Sequence, residues 1–417
     1  MGDFLRVYLR IPAARILLAR FFLALSILKC AVLYAQSEYS VQNLGDETSP
    51  YALNNSGVVV GTFLSSPIRA FSYSNGIFTD LGTLGGTRSV AYGINDGGTI
   101  VGDADLTNGF YHACMWSNGV ISDLGTLGGP TSMAFGINNA GTIVGVSDLA
   151  NDRSHAFIWS NGTMTDLGTL PGDGWSMAMA INSSGVIVGE SNPYGYTDSY
   201  ARAFSYSNGV MTDLGWSGYA SHAYGINDAG SIVGKGVKPG FGYRGFVTIG
   251  GVINELDSLL TASGINHNGT IVGSGGAGSY PHPSRYGSGF FRDLYSYVTN
   301  IGIAGNNHSY AVAVNDTGTI VGYGYTSAQQ VRGFILTRIP PTIILGPPVV
   351  SNATVRVSFT VTSGSAESFT LMEADCPTGP WNASSNAVLS VDVPGGSYNF
   401  VVPLVNSTSD FYRIRAP

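Results

Sequence analysis

Three short stretches of this chain concentrate side chains that could hold a ligand. Residues 192–200 contain Tyr194, Tyr196 and Asp198; residues 238–244 contain Phe241, Tyr243 and Arg244; residues 279–286 contain Tyr280, His282 and Tyr286. Aromatic faces interleaved with Asp, Arg and His suit stacking on sugar rings or gripping a peptide. These nine residues form the candidate ligand-binding set, and the partner they imply is an extracellular glycan or protein. The plainer reading, that they are surface loops free to vary, stands beside it. A polysaccharide lyase or hydrolase would instead need paired carboxylates or a His–Tyr pair converging on one cavity. Asp198, Arg244, His282 and Tyr286 are the residues from which such a centre could be built.

Other chemistry finds little support. His222, His267, His282 and His308 are scattered, without the i, i+4 spacing or the Cys partners of a zinc site. Asp103-Ala104-Asp105 is too short a ligand run for Ca²⁺. A Gly-x-Ser-x-Gly elbow in a convincing context and a phosphate loop are both missing. The expectation is therefore a binding protein without catalytic residues, cofactor or metal. A purely structural surface protein is the third possibility.

The elements that position these stretches follow from an internal repeat. The phrase Ile-Asn, two residues, Gly, one residue, Ile-Val-Gly recurs with its Asn at Asn54, Asn95, Asn138, Asn182, Asn227, Asn266 and Asn315. Between the copies, Ala-Phe-Ser-Tyr-Ser-Asn-Gly at 70–76 returns as variants at 113–119, 156–162 and 203–209, each followed by Asp-Leu-Gly. In the unit 87–125, four short runs rich in β-branched and aromatic residues are separated by Asn-Asp-Gly-Gly and Asn-Gly turns. Each unit thus reads as four antiparallel strands, the size of a propeller blade.

The ends of the array carry information too. Residues 40–45 form an orphan fourth strand, and the last unit stops after a third strand at 332–338. Together they make one whole unit, which a closed ring predicts because closure removes exposed strand edges. The expected fold is an all-β, seven-bladed β-propeller over 36–339, closed by the N-terminal strand. In such a ring the three candidate stretches, equivalent loops of consecutive units, lie side by side on one face. A residue present in every unit is architectural: the turn Asn bonds its own turn, and Asp80, Asp123, Asp166 and Asp213 each tie a neighbouring loop. His112 and His155, which share one repeat position, are expected to pack.

The stretch 155–172, His-Ala-Phe-Ile-Trp-Ser-Asn-Gly-Thr-Met-Thr-Asp-Leu-Gly-Thr-Leu-Pro-Gly, resembles the bacterial extracellular HAF repeat family. The resemblance extends over residues 40–338, although the His-Ala-Phe triplet is intact only at His155-Ala156-Phe157. It implies an exported bacterial protein and no agreed activity.

Flanking segments complete the plan. Residues 1–35 read as a signal peptide: a basic leader with Arg6, Arg10, Arg15 and Arg20, an apolar run at 21–28, and Ala35 for cleavage. That run is too short to span a bilayer comfortably, so no membrane span is expected in the mature protein. The chain carries a net charge of −7, and losing the leader makes it more acidic, which argues against nucleic acid and anionic lipid as partners. A secreted or cell-surface location follows. A Pro-rich linker at 340–348 precedes a small immunoglobulin- or fibronectin-like β-sandwich at 349–417.

Overall fold

Each repeated phrase folds as an Asn-anchored turn. The Asn54 side-chain oxygen accepts the Val58 N–H at 2.9 Å, and the Asn54 carbonyl accepts from Gly57, whose φ of 83° suits glycine. The same side-chain bond, at 2.8 to 3.0 Å, recurs at Asn95, Asn138, Asn182, Asn227, Asn266 and Asn315. These turns join the first and second strands of successive antiparallel sheets.

The computed structural model describes residues 9–10, 39–193, 200–275, 281–287, 290–304, 308–339, 342–345, 349–351, 354–363, 370–374, 382–383, 387–393, 397–403 and 411–415. They form an all-β chain built from repeated four-stranded sheets, with one short α-helix. The first sheet holds Thr48–Leu53, Val59–Phe63, Arg69–Ser74 and Ile77–Asp80, paired in that order. The second holds Gly85–Ile94, Ile100–Leu106, Tyr111–Ser117 and Val120–Gly125; the third holds Gly128–Ile137, Ile143–Leu149, Ser154–Ser160 and Thr163–Asp166. Trp175–Ile181, Ile187–Asn192, Arg202–Ser207 and Val210–Asp213 make the fourth. Ala220–Ile226, Ile232–Lys238, Gly242–Ile249 and Val252–Leu256 make the fifth. Leu259–Ile265, Ile271–Gly275, His282–Gly287 and Phe290–Asp293 make the sixth. The seventh combines Ser309–Val314, Ile320–Tyr325 and Val331–Arg338 with Tyr39–Asp46, which pairs beside Val331–Arg338.

Inside each sheet the glycine of Ile-Val-Gly is set by close backbone approach. A Cβ on Gly145 would lie 1.9 Å from the Met133 carbonyl oxygen and 2.8 Å from the Phe157 ring. The approach accompanies a bulge at Phe135, where the register between the first two strands shifts. Phe71, Phe157, Phe204, Phe246 and Phe334 occupy one equivalent third-strand position and are fully buried. Each contributes roughly 2–3 kcal/mol of burial.

Neighbouring sheets are joined by apolar packing and by a polar hook. Val144, Ala156 and Leu170 of the third repeat pack against Ala178, Ile187 and Phe204 of the fourth. Leu44, Val321 and Ile335 of the seventh sheet pack against Val59, Phe71 and Tyr73 of the first. The hook runs from a third-strand N–H to a hydroxyl on the next sheet: Ala70 to Ser89, Ala113 to Ser132, Ala156 to Ser176, Ala203 to Ser221 and Gly333 to Thr48. In the sixth sheet the donor position is Pro283, which has no N–H, and Ser309 Oγ is buried without a hydrogen-bond partner.

One addition and one correction concern the segments outside the repeated strands. The longest repeat interval reflects an insertion after the fourth strand of the sixth sheet, where a helix, Tyr295–Val298, and a 3₁₀ turn, Thr299–Ile301, bury Leu294 and Val298. The linker at 340–348 contains a strand, Thr342–Leu345, paired with Thr354–Ser363, because its Thr-Ile-Ile-Leu run favours extended pairing over a Pro-rich spacer.

The chain divides into two compact units, Val41–Thr337 and Met1–Ser40 with Arg338–Pro417. In the second unit Thr342–Leu345, Thr354–Ser363, Ser397–Pro403 and Val388–Val393 form one sheet, joined at its side by Val349–Ser351. Phe359 stacks there on Tyr398 and Phe400 at 5.1 and 5.8 Å. Thr370–Ala374, Asn382–Ala383, Phe411–Arg415 and Leu9–Arg10 form another.

Candidate ligand-binding site

The turn Asn residues bond from one repeat to the next. Each turn Asn donates its amide to the main-chain carbonyl of the next: Asn54 to Asn95, Asn95 to Asn138, Asn138 to Asn182, Asn182 to Asn227, Asn227 to Asn266 and Asn266 to Asn315. Asn315 donates to the Asn54 carbonyl at 3.1 Å. These turns line a cavity of about 220 Å³. Around it Asp96 and Asp228 accept hydrogen bonds from Asn55 and Ser183 respectively. At Asp96 those bonds outweigh burial and lower the carboxyl pKa; at Asp228 the Ser183 bonds lower it. A second hollow of about 580 Å³ lies where the first and seventh sheets meet, among Gln42, Ser56, Asn75, Thr317 and Thr337. Neither hollow is lined by a Lys, an Arg or an exposed Phe, Tyr or Trp; His267 lines the first.

The Asp of each Asp-Leu-Gly caps its own turn rather than a neighbouring loop: Asp80 accepts the Gly82 N–H at 2.9 Å and Asp123 the Gly125 N–H at 2.8 Å. It also binds the side chain eleven residues earlier, giving Arg69–Asp80, His112–Asp123, His155–Asp166 and Arg202–Asp213. His112 and His155 are therefore ion-pair or hydrogen-bond partners, not packing residues. His282 repeats this geometry with Asp293 at 3.2 Å and stacks on Tyr295 at 4.3 Å. It belongs to the repeat and to the strand His282–Gly287, not to a loop and not to a scattered set. Tyr286 lies on the same strand opposite Ile271 and packs against the core of the fifth and sixth sheets. Tyr194, Tyr196, Asp198 and Tyr280 lie outside the described residues. His282 and Tyr286 are thus placed in the sixth sheet and Arg244 in the fifth.

The 238–244 stretch is a tight hairpin rather than an extended loop. Phe241 N–H donates to the Lys238 carbonyl at 3.1 Å, with Pro239 second and Gly240 third at a φ of 75°. Pro-Gly at those places is the chemistry of a type II turn. The turn leaves Phe241 64% exposed and Tyr243, opposite Val237, 46% exposed. On the other side of the same strand, the Tyr219 N–H donates to the Val237 carbonyl at 2.9 Å, and Tyr219 is 68% exposed. The described residues hold five exposed aromatic side chains, the other two being Phe110 and Tyr200. Three of the five thus flank one strand end.

Cations interleave with these rings. Lys238 and Arg244 sit 5.6 and 5.8 Å from the Phe241 ring, and Lys235 sits 5.0 Å from Tyr243 and 5.8 Å from Tyr224. Lys238 also meets Glu255 at 2.8 Å. Trp216 lies flat over Gly236, where a Cβ would come within 2.1 Å of the indole, and its N–H donates to the Val237 carbonyl at 3.2 Å. Deeper in the same sheet, His222 is hydrogen-bonded to Glu190 of the fourth sheet, both buried, and stacks near Tyr224. Tyr219, Trp216, Lys235 and this pair were not in the candidate set. Their signals were present: Asp-Leu-Gly-Thr-Leu becomes Asp-Leu-Gly-Trp-Ser at 213–217, and Glu190 and Lys235 follow Ile-Val-Gly where Thr62 and Val146 stand in other repeats.

A third polar cluster lies in the second sheet. Arg88 is ion-paired with the fully buried Asp103, beside Asp105 and Tyr92. Burial drives the Asp103 carboxyl above its usual range, and the Arg88 charge offsets only part of that. Burial also works against the Arg88 charge, but Asp103 outweighs it and the guanidinium pKa rises. Tyr92 continues a row of rings, 5.5 Å from Tyr51 and 5.1 Å from Phe135. Among the described residues no group of three or more His, Cys, Asp or Glu could hold a metal ion.

No family model matches the chain, and no curated protein matches it. Among solved structures it is similar to the crystal structure of TolB from Acinetobacter baumannii, with 13% identity and a TM-score of 0.41 over 70% of this chain and 65% of that one. The chain therefore spans less than two thirds of that TolB chain. Among the described residues no helix is long and apolar enough to cross a membrane.

Proposed function

We propose that the chain is a non-catalytic binding protein of the HAF repeat type, secreted or held at the cell surface, that grips an extracellular glycan at the Tyr219–Phe241–Tyr243 rim. The repeated sheets are read as the blades of a seven-bladed β-propeller. The hydrogen bonds from Asn315 to Asn54 and from Gly333 to Thr48 support closure of that ring. The two sheets of the C-terminal unit are read as a small sandwich, and residues 1–35 as an export leader.

The observation that carries the function is a group of three exposed rings at one strand end, two of them, Phe241 and Tyr243, with cations over their faces, beside a tight turn and Trp216. Stacking a sugar face on such rings gains apolar burial at little cost in side-chain order, because the turn already fixes them. Replacing Tyr219, Phe241 and Tyr243 with Ala is expected to abolish glycan binding on an array while leaving the melting temperature within about 2 °C, since exposed substitutions change stability little. Retained binding to the same glycans in the triple variant sinks the assignment of this rim. Capture of a protein by the wild type, with no glycan bound, moves the ligand class to protein. Turnover of a polysaccharide extract replaces binding with catalysis.

A further inference from the structure

Lys235, Lys238 and Arg244 lie together at the rim, and the inference drawn from this rests on the binding reading above. The whole chain has three lysines, Lys29, Lys235 and Lys238, so both lysines outside the leader stand on one strand of the fifth sheet. Elsewhere in the repeated sheets, Arg69, Arg88, Arg202 and Arg332 are each held by an aspartate. Arg153, like Arg244, meets no carboxylate among the described residues, but only Arg244 lies at the rim. Arg244 donates to the Tyr243 carbonyl at 2.8 Å and lies near the Phe241 ring. A guanidinium has five N–H donors in a planar fork, so most of its capacity faces outward.

We propose that the ligand is an anionic saccharide whose carboxylate docks on Arg244 while a sugar face stacks on Phe241 or Tyr219. Lys235 adds positive charge beside Tyr243, while Lys238, near the Phe241 ring, is offset by its ion pair with Glu255. A carboxylate matches the guanidinium fork with two parallel hydrogen bonds, which a neutral hydroxyl does not. The overall charge of −7 opposes a polyanion at long range. Screening confines that repulsion to about 8–10 Å at physiological salt, so contact at a local cationic rim decides the outcome.

The test uses the full chain and four polymers: polygalacturonate, alginate, fully methyl-esterified polygalacturonate and polyaspartate, with an uncharged glucan as reference. Titration calorimetry is expected to show binding to a free polyuronate, a loss of about tenfold or more on esterification or with Arg244→Ala, partial recovery with Arg244→Lys, and weakening as salt is raised. Unchanged melting temperatures in both Arg244 variants and in Phe241→Ala establish that the fold is retained. Equal affinity for the free and esterified polymers, or binding confined to the neutral glucan, overturns the charge assignment and leaves the glycan reading standing. Binding of polyaspartate as tight as the polyuronates shows charge recognition without the sugar and overturns the proposal. Failure to bind any saccharide overturns both.

Discussion

Arg88 and Asp103 show what a single charged pair does inside a chain with little charge to spare. Asp103 is fully buried, and its folded pKa is raised above the unfolded value by burial. A raised carboxyl contributes stability below the unfolded pKa and loses it as pH climbs through the folded value. At neutral pH the ionised carboxylate therefore depends on the Arg88 guanidinium. Arg88→Met is expected to lower unfolding free energy by about 3 kcal/mol at pH 7.5, because it strands a buried charge. The loss should be smaller at pH 4 than at pH 7.5, because lower pH favours the protonated carboxyl. Urea midpoints at the two pH values check this, and an equal loss at both contradicts the account. At Asp46 the direction is opposite: the Arg332 hydrogen bond lowers the carboxyl pKa, so that pair weakens as pH falls. It is exposed, and its energetic weight is correspondingly small.

Between elements, the hydroxyl hook makes the sharper prediction. Ser132 Oγ accepts the Ala113 N–H at 2.8 Å and donates to the Gly125 carbonyl at 2.6 Å. Ser132→Ala leaves a buried N–H without an acceptor and should cost about 1–3 kcal/mol. Ser309 occupies the equivalent place opposite Pro283 and has nothing to accept. Ser309→Ala is therefore expected to be neutral or slightly stabilising in the same chemical-denaturation assay. Matching losses in the two variants would show that the hook is not what the serines supply. The contrast isolates the hydrogen bonds of the Ser132 hydroxyl, since both side chains are fully or almost fully buried.

For the molecule as a whole, the pairing of Tyr39–Asp46 beside Val331–Arg338 brings together chain segments almost three hundred residues apart. Deleting residues 1–46 removes that strand and leaves Val331–Arg338 with a bare edge. Unpaired edges template association with other chains. The truncated protein is expected to melt at a lower temperature and to form higher oligomers, read by calorimetry and light scattering. Full stability and a monomeric state in the truncated chain would mean that the terminal strand does not hold the repeat array together.

How much of this was legible in the sequence depends on whether a feature is local and repeated. The turn glycines, the Asn anchors, the four-strand unit and the missing strand at each end are dictated by backbone sterics and period. They repeat, so chance departures at one copy are outvoted by the others. The rim is different. Phe241, Tyr243 and Arg244 were recognisable as departures from the repeat, yet Tyr219, eighteen residues before Val237 and bonded to it only across the sheet, was not. His282 looked like an insertion residue until its bond to Asp293 returned it to the repeat. Tyr286 looked exposed until the strand register turned it toward the core. Composition and period set which residues can form strands and turns, because those choices are made over a few residues. Which side chains share a surface, which charges are buried and which arginines meet a carboxylate are settled only when distant strands come into register.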